Sequence, residues 1–299
     1  MTKNSKILCI GDIMLDVTAV IGKPIVEGLE TRASISTFGG GAAANVASWL
    51  VAANTPSYLI TRVGDDAAGK AVLDQLDQLG VAHGDKVVAG KNTGVVIVIV
   101  GNDGERTMFP DSGANAGLGV SDLPELSQFG AVYLSGYPLI NPQSNPGVLE
   151  IVEVLRKEKL PIIFDPATVG VLLEVGVARV RQWLEFMDVV VLNEEEAQFI
   201  TGFANPIEAA ADLLKIVPTV VIKRGSNGAL AQQRDGSLIQ IPALPTTVVN
   251  TTGAGDAFAA GFISIWAQDG QLADALAAGA KLAAECVALI GARPLVAPN

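Results

Sequence analysis

Apolar and polar positions along this chain fall into blocks whose period changes. Residues 7–10, Ile-Leu-Cys-Ile, form a short apolar run closed by Gly11-Asp12, as in a strand buried on both faces. Residues 17–21 and 33–38 alternate loosely about Gly22-Lys23-Pro24 and suit a small separate sheet. One helix opens in the glycine-rich run at 39–47 and reaches about residue 53; a second covers 67–79. Residues 93–100 and 105–109 predict a hairpin around Gly101-Asn102-Asp103-Gly104, whose Asp-Gly is a strong turn signal. From residue 132 the pattern turns regular. Strands at 132–136, 161–164, 189–192 and 219–222 alternate with helices at 145–158, 171–186, 194 onward and 207–216. A hairpin at 229–233 and 237–241 precedes two last helices, from 256 and over 272–290. This alternation predicts an α/β fold with a mostly parallel, doubly wound sheet. The β-only pieces, about 17–38 and 93–109, would form a lid at its edge, all within a single domain spanning 1–299.

The chain is organised around Val248-Val249-Asn250-Thr251-Thr252-Gly253-Ala254-Gly255-Asp256. The two valines suit a strand end, Asn250 to Thr252 a turn, and the apolar run after Asp256 a helix. Backbone N–H groups at such a helix start converge on one positive spot, which holds phosphate or a developing oxyanion. A carboxylate beside it would repel a phosphate. Asp256 therefore makes sense as a base that takes the proton of a nucleophile attacking a phosphoryl group. The plainer alternative is that Asp256 only caps its helix.

Composition narrows the classes. The 299 residues are 49% hydrophobic, ample for a large core, and Lys+Arg 20 against Asp+Glu 31 leaves a formal charge of −11. Nothing there is a nucleic-acid footprint. No secretory signal or membrane-length apolar run is visible. Cys9 and Cys286 lie in apolar runs and suit buried thiols in the cytoplasm. His83 is the only histidine and sits in a polar turn, where a solvated loop histidine is expected. That leaves little room for thiol–histidine or serine–histidine chemistry.

Two glycine patterns are decoys. Gly39-Gly40-Gly41-Ala42-Ala43-Ala44 fits the loose dinucleotide pattern, but that pattern belongs on the first strand of a βαβ unit and here follows a lid strand. Gly64 to Ala71 fits G-x-x-x-x-G-K but ends in Ala where a P-loop needs a hydroxyl. Asp12 and Asp16 follow the first strand, at the sheet edge where open α/β folds bind ligands.

The run Gly40-Gly41-Ala42-Ala43-Ala44-Asn45, the run Asn193-Glu194-Glu195-Glu196 and the turn at 250–256 occur in order. Together they resemble the signatures of the PfkB, or ribokinase-like, family of carbohydrate kinases, end to end. The resemblance implies a three-layer αβα sandwich and transfer of the γ-phosphoryl group of ATP to an alcohol of a sugar. By similarity Asp256 is the base, and the amides of Gly253, Ala254 and Gly255 form the anion hole. Asp16, Gly40, Gly41, Asn45 and the lid residue Arg106 hold the acceptor. Asn193, Lys223, Gly225, Gly228 and Thr252 lie along the nucleotide, with Glu196 placing Mg²⁺ indirectly. Asn250 and Thr252 fall at a monovalent-cation (K⁺) site, where Asn250 replaces the usual Asp and removes a charge. Asp165-Pro166-Ala167 lacks the Asn that often follows Asp-Pro, and Met14 stands where ribokinases proper carry a polar residue. The resemblance also implies a homodimer formed through the lid.

The physics is compatible. Phosphoryl transfer needs positioning, positive partial charge and one base, but no cysteine or histidine. Asp256 is expected to stay ionised, its pKa held low by the helix N-terminus. Candidates to contact the acceptor are Arg106, Met108, Tyr133 and Tyr137. A nucleoside kinase on the same fold, a non-catalytic sugar-binding protein and an NAD-dependent oxidoreductase stay open as alternatives.

Overall fold

Strand Ile7–Ile10 sends Ile7 and Cys9 into one apolar core and Leu8 and Ile10 into another, so the sheet through it is buried on both faces. The computed structural model describes residues 6–84, 86–101 and 106–295. Ile7–Ile10 lies between parallel strands Ala131–Ser135 and Ser57–Ile60. The sheet continues through Ile162–Asp165, Val189–Asn193 and Thr219–Lys223, all parallel, and on the other side to Ala82–His83. Antiparallel strands Ala229–Gln233 and Leu238–Ile241 finish one edge. Helices Ala42–Ala52, Ala254–Trp266 and Leu272–Val287 cover one face, and Asn145–Lys157, Val177–Leu184, Glu194–Thr201 and Pro206–Leu213 the other. This is the expected αβα sandwich.

A second, four-stranded sheet pairs Met14–Ile21 with Ala33–Gly40 antiparallel and with Val95–Val100 parallel, and ends in Arg106–Asp111. Its register sorts its residues by face. Asp16, Val96 and Pro110 share a row, as do Thr18, Val98 and Met108, and Val20, Val100 and Arg106, all on one face. Ile35, Ile97 and Phe109 stand on the opposite face and are exposed. The second sheet lies where the β-only lid segments are expected and starts three residues earlier, at Met14. The predicted turn residues Asn102, Asp103 and Gly104, with Glu105, lie outside the described residues.

Three local expectations fail and one strand goes unforeseen, each for an identifiable reason. Strand Ser57–Ile60 is too short and mixed to stand out in the pattern. The helix expected over 171–186 is two helices, Val169–Val175 and Val177–Leu184, broken at Gly176 with φ 78°. Val248 and Val249 are not a strand: they are exposed coil, and the Val249 N–H donates to the Val287 carbonyl at 2.7 Å. His83 is largely covered rather than solvated, with Nε2 3.2 Å from the Asp77 carboxylate.

The tail after the last helix closes back on the first one. Trp49, 2% exposed, donates Nε1–H to the Ala292 carbonyl at 2.9 Å. Trp49→Phe keeps most of the apolar volume but orphans that carbonyl. Urea denaturation is expected to show a loss of about 1–3 kcal/mol; an unchanged midpoint would mean the tail contributes nothing to stability.

Candidate active site

The carboxyl ends of the parallel strands place acidic side chains in one row. Asp12 follows Ile7–Ile10, Asp165 ends Ile162–Asp165, and Asn193 and Lys223 end neighbouring strands in paired register. Helix Ala254–Trp266 points its N-terminus at this edge. Gly253 is its N-cap with φ 80°, which a side chain would strain, and a Cβ there would lie 2.7 Å from Ala292. Gly255 and Asp256 occupy the second and third helical positions, whose N–H groups have no intrahelical acceptor. The Lys223 ammonium sits beside them, 3.2 Å from where a Gly255 Cβ would be. An anion at this spot would meet amides, a helix dipole and one cation.

Asp256 does not cap its helix. Its Oδ2 accepts from Asn45 Nδ2 at 2.8 Å, across 211 residues of sequence. Burial pushes its carboxyl up, and the Asp165 and Asp12 charges add to that; the Asn45 hydrogen bond and Lys223 oppose it, and it settles at about 7. The expected low pKa is thus overturned: the helix dipole is outweighed by desolvation and like charge. Lys223 donates to Asp165 Oδ2 at 2.8 Å. Burial works against its charge, but Asp165, Glu196 and Asp256 hold its pKa above the ordinary value.

The acceptor side gathers around Gly40. Asp16 lies so close that a Gly40 Cβ would overlap its carboxylate, which is why no side chain is tolerated there. Burial raises Asp16 to about 6, with Arg293 lowering it and Asp12 raising it. Gly41, with φ 93°, is the N-cap of the helix that carries Asn45. Asp16, Gly40, Gly41, Asn45 and Asp256 are thereby brought together.

Other predicted residues take different places. Asn193 and Glu196 form a reciprocal capping box: the Asn193 N–H donates to Glu196 Oε2 at 2.9 Å and the Glu196 N–H to Asn193 Oδ1 at 2.8 Å. Glu196 is buried, which lifts it to about 7 against the pull of Lys223. Gly225 and Gly228 shape a tight turn after strand Thr219–Lys223, with φ 54° and 83°. Arg106 is away from Asp16. Its Nη1 donates to Thr252 Oγ1 at 2.5 Å and its Nη2 to Asn250 Oδ1 at 3.0 Å, which ties the lid to the phosphate-side turn. Tyr133 is wholly buried in the core and cannot reach an acceptor. Tyr137 and Met108 keep exposed surface, Met108 on the lid face that Asp16 shares.

Three residues escaped the sequence reading. Arg293 donates to Asn45 Oδ1 at 3.2 Å and to the Gly40 carbonyl at 2.6 Å. Asn115 braces the loop before Met14–Ile21, accepting from the Ile13 N–H at 3.1 Å and donating to its carbonyl at 2.8 Å. Gln75 accepts from Arg293 at 3.5 Å. None sits in a motif, so only contact reveals them.

ATP, Mg²⁺ and K⁺ make different demands on this arrangement. Helix-start amides and Lys223 suit a triphosphate, with the Ala254 N–H already donating to the Thr251 carbonyl at 3.3 Å. Among the described residues no cluster of His, Cys, Asp or Glu could hold a metal by itself. A monovalent cation fits less well: Asn250 is neutral, and its Oδ1 already accepts from Arg106 and, at 2.8 Å, from the Thr252 N–H.

Comparison with known proteins agrees with this geometry. The model of the pfkB family carbohydrate kinases matches residues 4–298. A fructokinase of Klebsiella pneumoniae is 31% identical over 96% of this chain and 93% of its own length. An ATP-dependent ribose-1-phosphate kinase of Halopiger xanaduensis is 29% identical over 96% and 92%. The ribokinase of Arabidopsis thaliana, solved with ribose and ATP, superposes with a TM-score of 0.82 at 27% identity, covering 96% of this chain and 93% of that one.

The raised Asp256 pKa has a consequence for stability. Below pH 4 the carboxyl is protonated folded and unfolded, so it costs nothing. Between pH 4 and about 7 the unfolded chain releases the proton while the native one keeps it, so stability falls as pH rises and then levels off. Asp256→Asn should therefore be more stable than the parent at pH 8, by on the order of 1–4 kcal/mol, with the gap closing toward pH 4. Denaturant titrations across that range check this; a variant less stable at pH 8 contradicts it.

Proposed function

This chain belongs to the pfkB family of carbohydrate kinases, and from that premise we propose that it transfers the γ-phosphoryl group of ATP to a hydroxyl of a sugar. The observation that carries the site assignment is the Asn45–Asp256 contact, which sets the helix-borne carboxylate against the acceptor-side glycines. In this reading Asp16, over Gly40, accepts from acceptor hydroxyls, with Gly41 and Asn45 completing the subsite. The amides of Gly253, Ala254 and Gly255 hold the transferring phosphoryl oxygens, with Lys223 alongside. Asp256 takes the hydroxyl proton, the alkoxide oxygen bonds to the γ-phosphorus, and the bond to the β-phosphate oxygen breaks to release ADP. Mg²⁺, when bound, neutralises phosphate charge. Glu196 and Asn193 support that side, and Thr252, Gly225 and Gly228 flank the nucleotide.

The main sheet and lid work as one domain around a single cleft. Arg106 acts on the phosphate-side turn, where its guanidinium supplies positive charge next to Asn250. The enzyme then needs no potassium, and exchanging K⁺ for Na⁺ should leave kcat within about twofold. The exposed Ile35, Ile97 and Phe109 on the outer lid face support a homodimer through the lid. Sedimentation giving only monomer at micromolar protein would end that part of the reading. The buried, unpaired thiols of Cys9 and Cys286 suit the cytoplasm. The half-exposed Tyr137 near the cleft keeps a nucleoside acceptor as the second reading, since a ring could stack on a nucleobase.

The deciding experiment is ADP release against a panel of sugars, sugar phosphates and nucleosides. Asp256→Asn should lose at least 10²-fold in kcat. A panel that binds but is never phosphorylated would make this a binding protein. Because the base works deprotonated, kcat/KM should climb about tenfold per pH unit between about 6 and 7 and flatten above, with a steeper fall below about 6 where Asp16 also takes up a proton. Glu196 titrates in the same region, so the limb should persist in Glu196→Gln; its disappearance there would reassign it.

A further inference from the structure

Asn45 faces two partners of opposite need. Asp256 as a carboxylate can only accept, and Arg293 as a guanidinium can only donate. The side-chain amide therefore has one satisfactory orientation: Oδ1 to Arg293 Nε at 3.2 Å, Nδ2 to Asp256 Oδ2 at 2.8 Å. Turning the amide over would set its NH₂ against the guanidinium and its oxygen against the carboxylate, losing both hydrogen bonds in a buried place. We propose that Arg293 is a positioning residue for the base, fixing the Asn45 amide so that it holds one oxygen of Asp256 and leaves the other to the acceptor hydroxyl.

Arg293 is built for that task. It is 7% exposed, and its other nitrogens are held by the Gly40 carbonyl at 2.6 Å and by Gln75 at 3.5 Å. The guanidinium packs on Gly39, where any Cβ would overlap it. Burial lowers its pKa to about 10, with Asp16, Asp12 and Asp256 opposing that, so it stays charged near neutrality. The adjoining Ala292 takes the Trp49 hydrogen bond and lies against Gly253. One short segment thus touches the helix carrying Asn45, the helix carrying Asp256, and the amide between them. A lysine could donate to Asn45 Oδ1 but could not span Gly40 and Gln75 as well.

The inference rests on Asp256 acting as the base, so two readouts are needed. In turnover, Arg293→Met should lower kcat 10- to 100-fold while KM for ATP stays within twofold. Asn45→Ala should do much the same, and the double variant should be little worse than Asn45→Ala alone. Arg293→Lys should recover part of the loss. In the absence of any acceptor, the Asn45 side-chain NH₂ resonances, assigned by their loss in Asn45→Ala, should be widely split in the parent and collapse in Arg293→Met. Full kcat in Arg293→Met, additive losses in the double variant, or an unchanged NH₂ splitting overturns the proposal and leaves the kinase reading standing. Failure of the parent to phosphorylate any acceptor would sink that reading instead, and the resonance test would still decide whether Arg293 orients the amide. If Arg293→Met does not fold, Arg293→Lys and Gln75→Ala carry the same comparison.

Discussion

Too many buried carboxyls for the available cations is the constraint on which the site turns. Asp12, Asp16, Asp165, Glu196 and Asp256 crowd the carboxyl edge of the sheet, and the buried cations facing them are Lys223 and Arg293. Desolvation lifts Asp12, Asp16, Glu196 and Asp256, and neighbouring carboxylates add to the rise of the last three. Each cation serves one half of the cleft. Lys223 pairs with Asp165 beside the anion-binding amides; Arg293 faces Asp16 and the amide that holds Asp256. A base near neutrality is a product of this imbalance, and so is a native state less stable than its apolar packing alone would permit.

The two glycine turns were readable in advance because their chemistry is local. A glycine run before a helix, or Gly-Ala-Gly-Asp after a polar turn, implies free amides whatever surrounds them. The same holds for the βα alternation and for the lid, whose β-only segments break it. Where reading failed, the cause was distant contact. Val248 and Val249 have strand-like side chains but no neighbouring strand to pair with, and Val249 bonds instead to the end of the last helix. Gly176 divides a helix that periodicity alone joins. Arg293 stands 248 residues from Asn45, in a tail with no regular structure, so nothing nearby marks it. The Asp256 pKa went astray because a helix dipole can be inferred from order along the chain, whereas burial and the nearness of Asp165 and Asp12 cannot.

Arg106 shows how a residue can be found and yet misplaced. Its position on the lid suggests contact with the acceptor. The register puts it on the Asp16 face but two rows beyond Asp16 and one beyond Met108, and there it reaches Thr252 and Asn250. Replacing an aspartate by Asn250 fits that outcome. Asn250 Oδ1 holds both the Thr252 N–H and the guanidinium, so the turn keeps its shape while taking its positive charge from the lid.

That contact joins the two halves of the cleft through one sheet. The small sheet carries Asp16 over its own Gly40 at one end and holds Arg106 against the Asn250–Thr252 turn at the other. In the proposed kinase reading, one sheet thus fixes the acceptor subsite and the phosphate-side turn relative to each other. Arg293 and Trp49 tie the tail down behind the cleft, through the carbonyls of Gly40 and Ala292. The small sheet and the C-terminal tail therefore meet at Gly40, whose missing side chain makes room for Asp16 in front while its carbonyl is held by Arg293 behind.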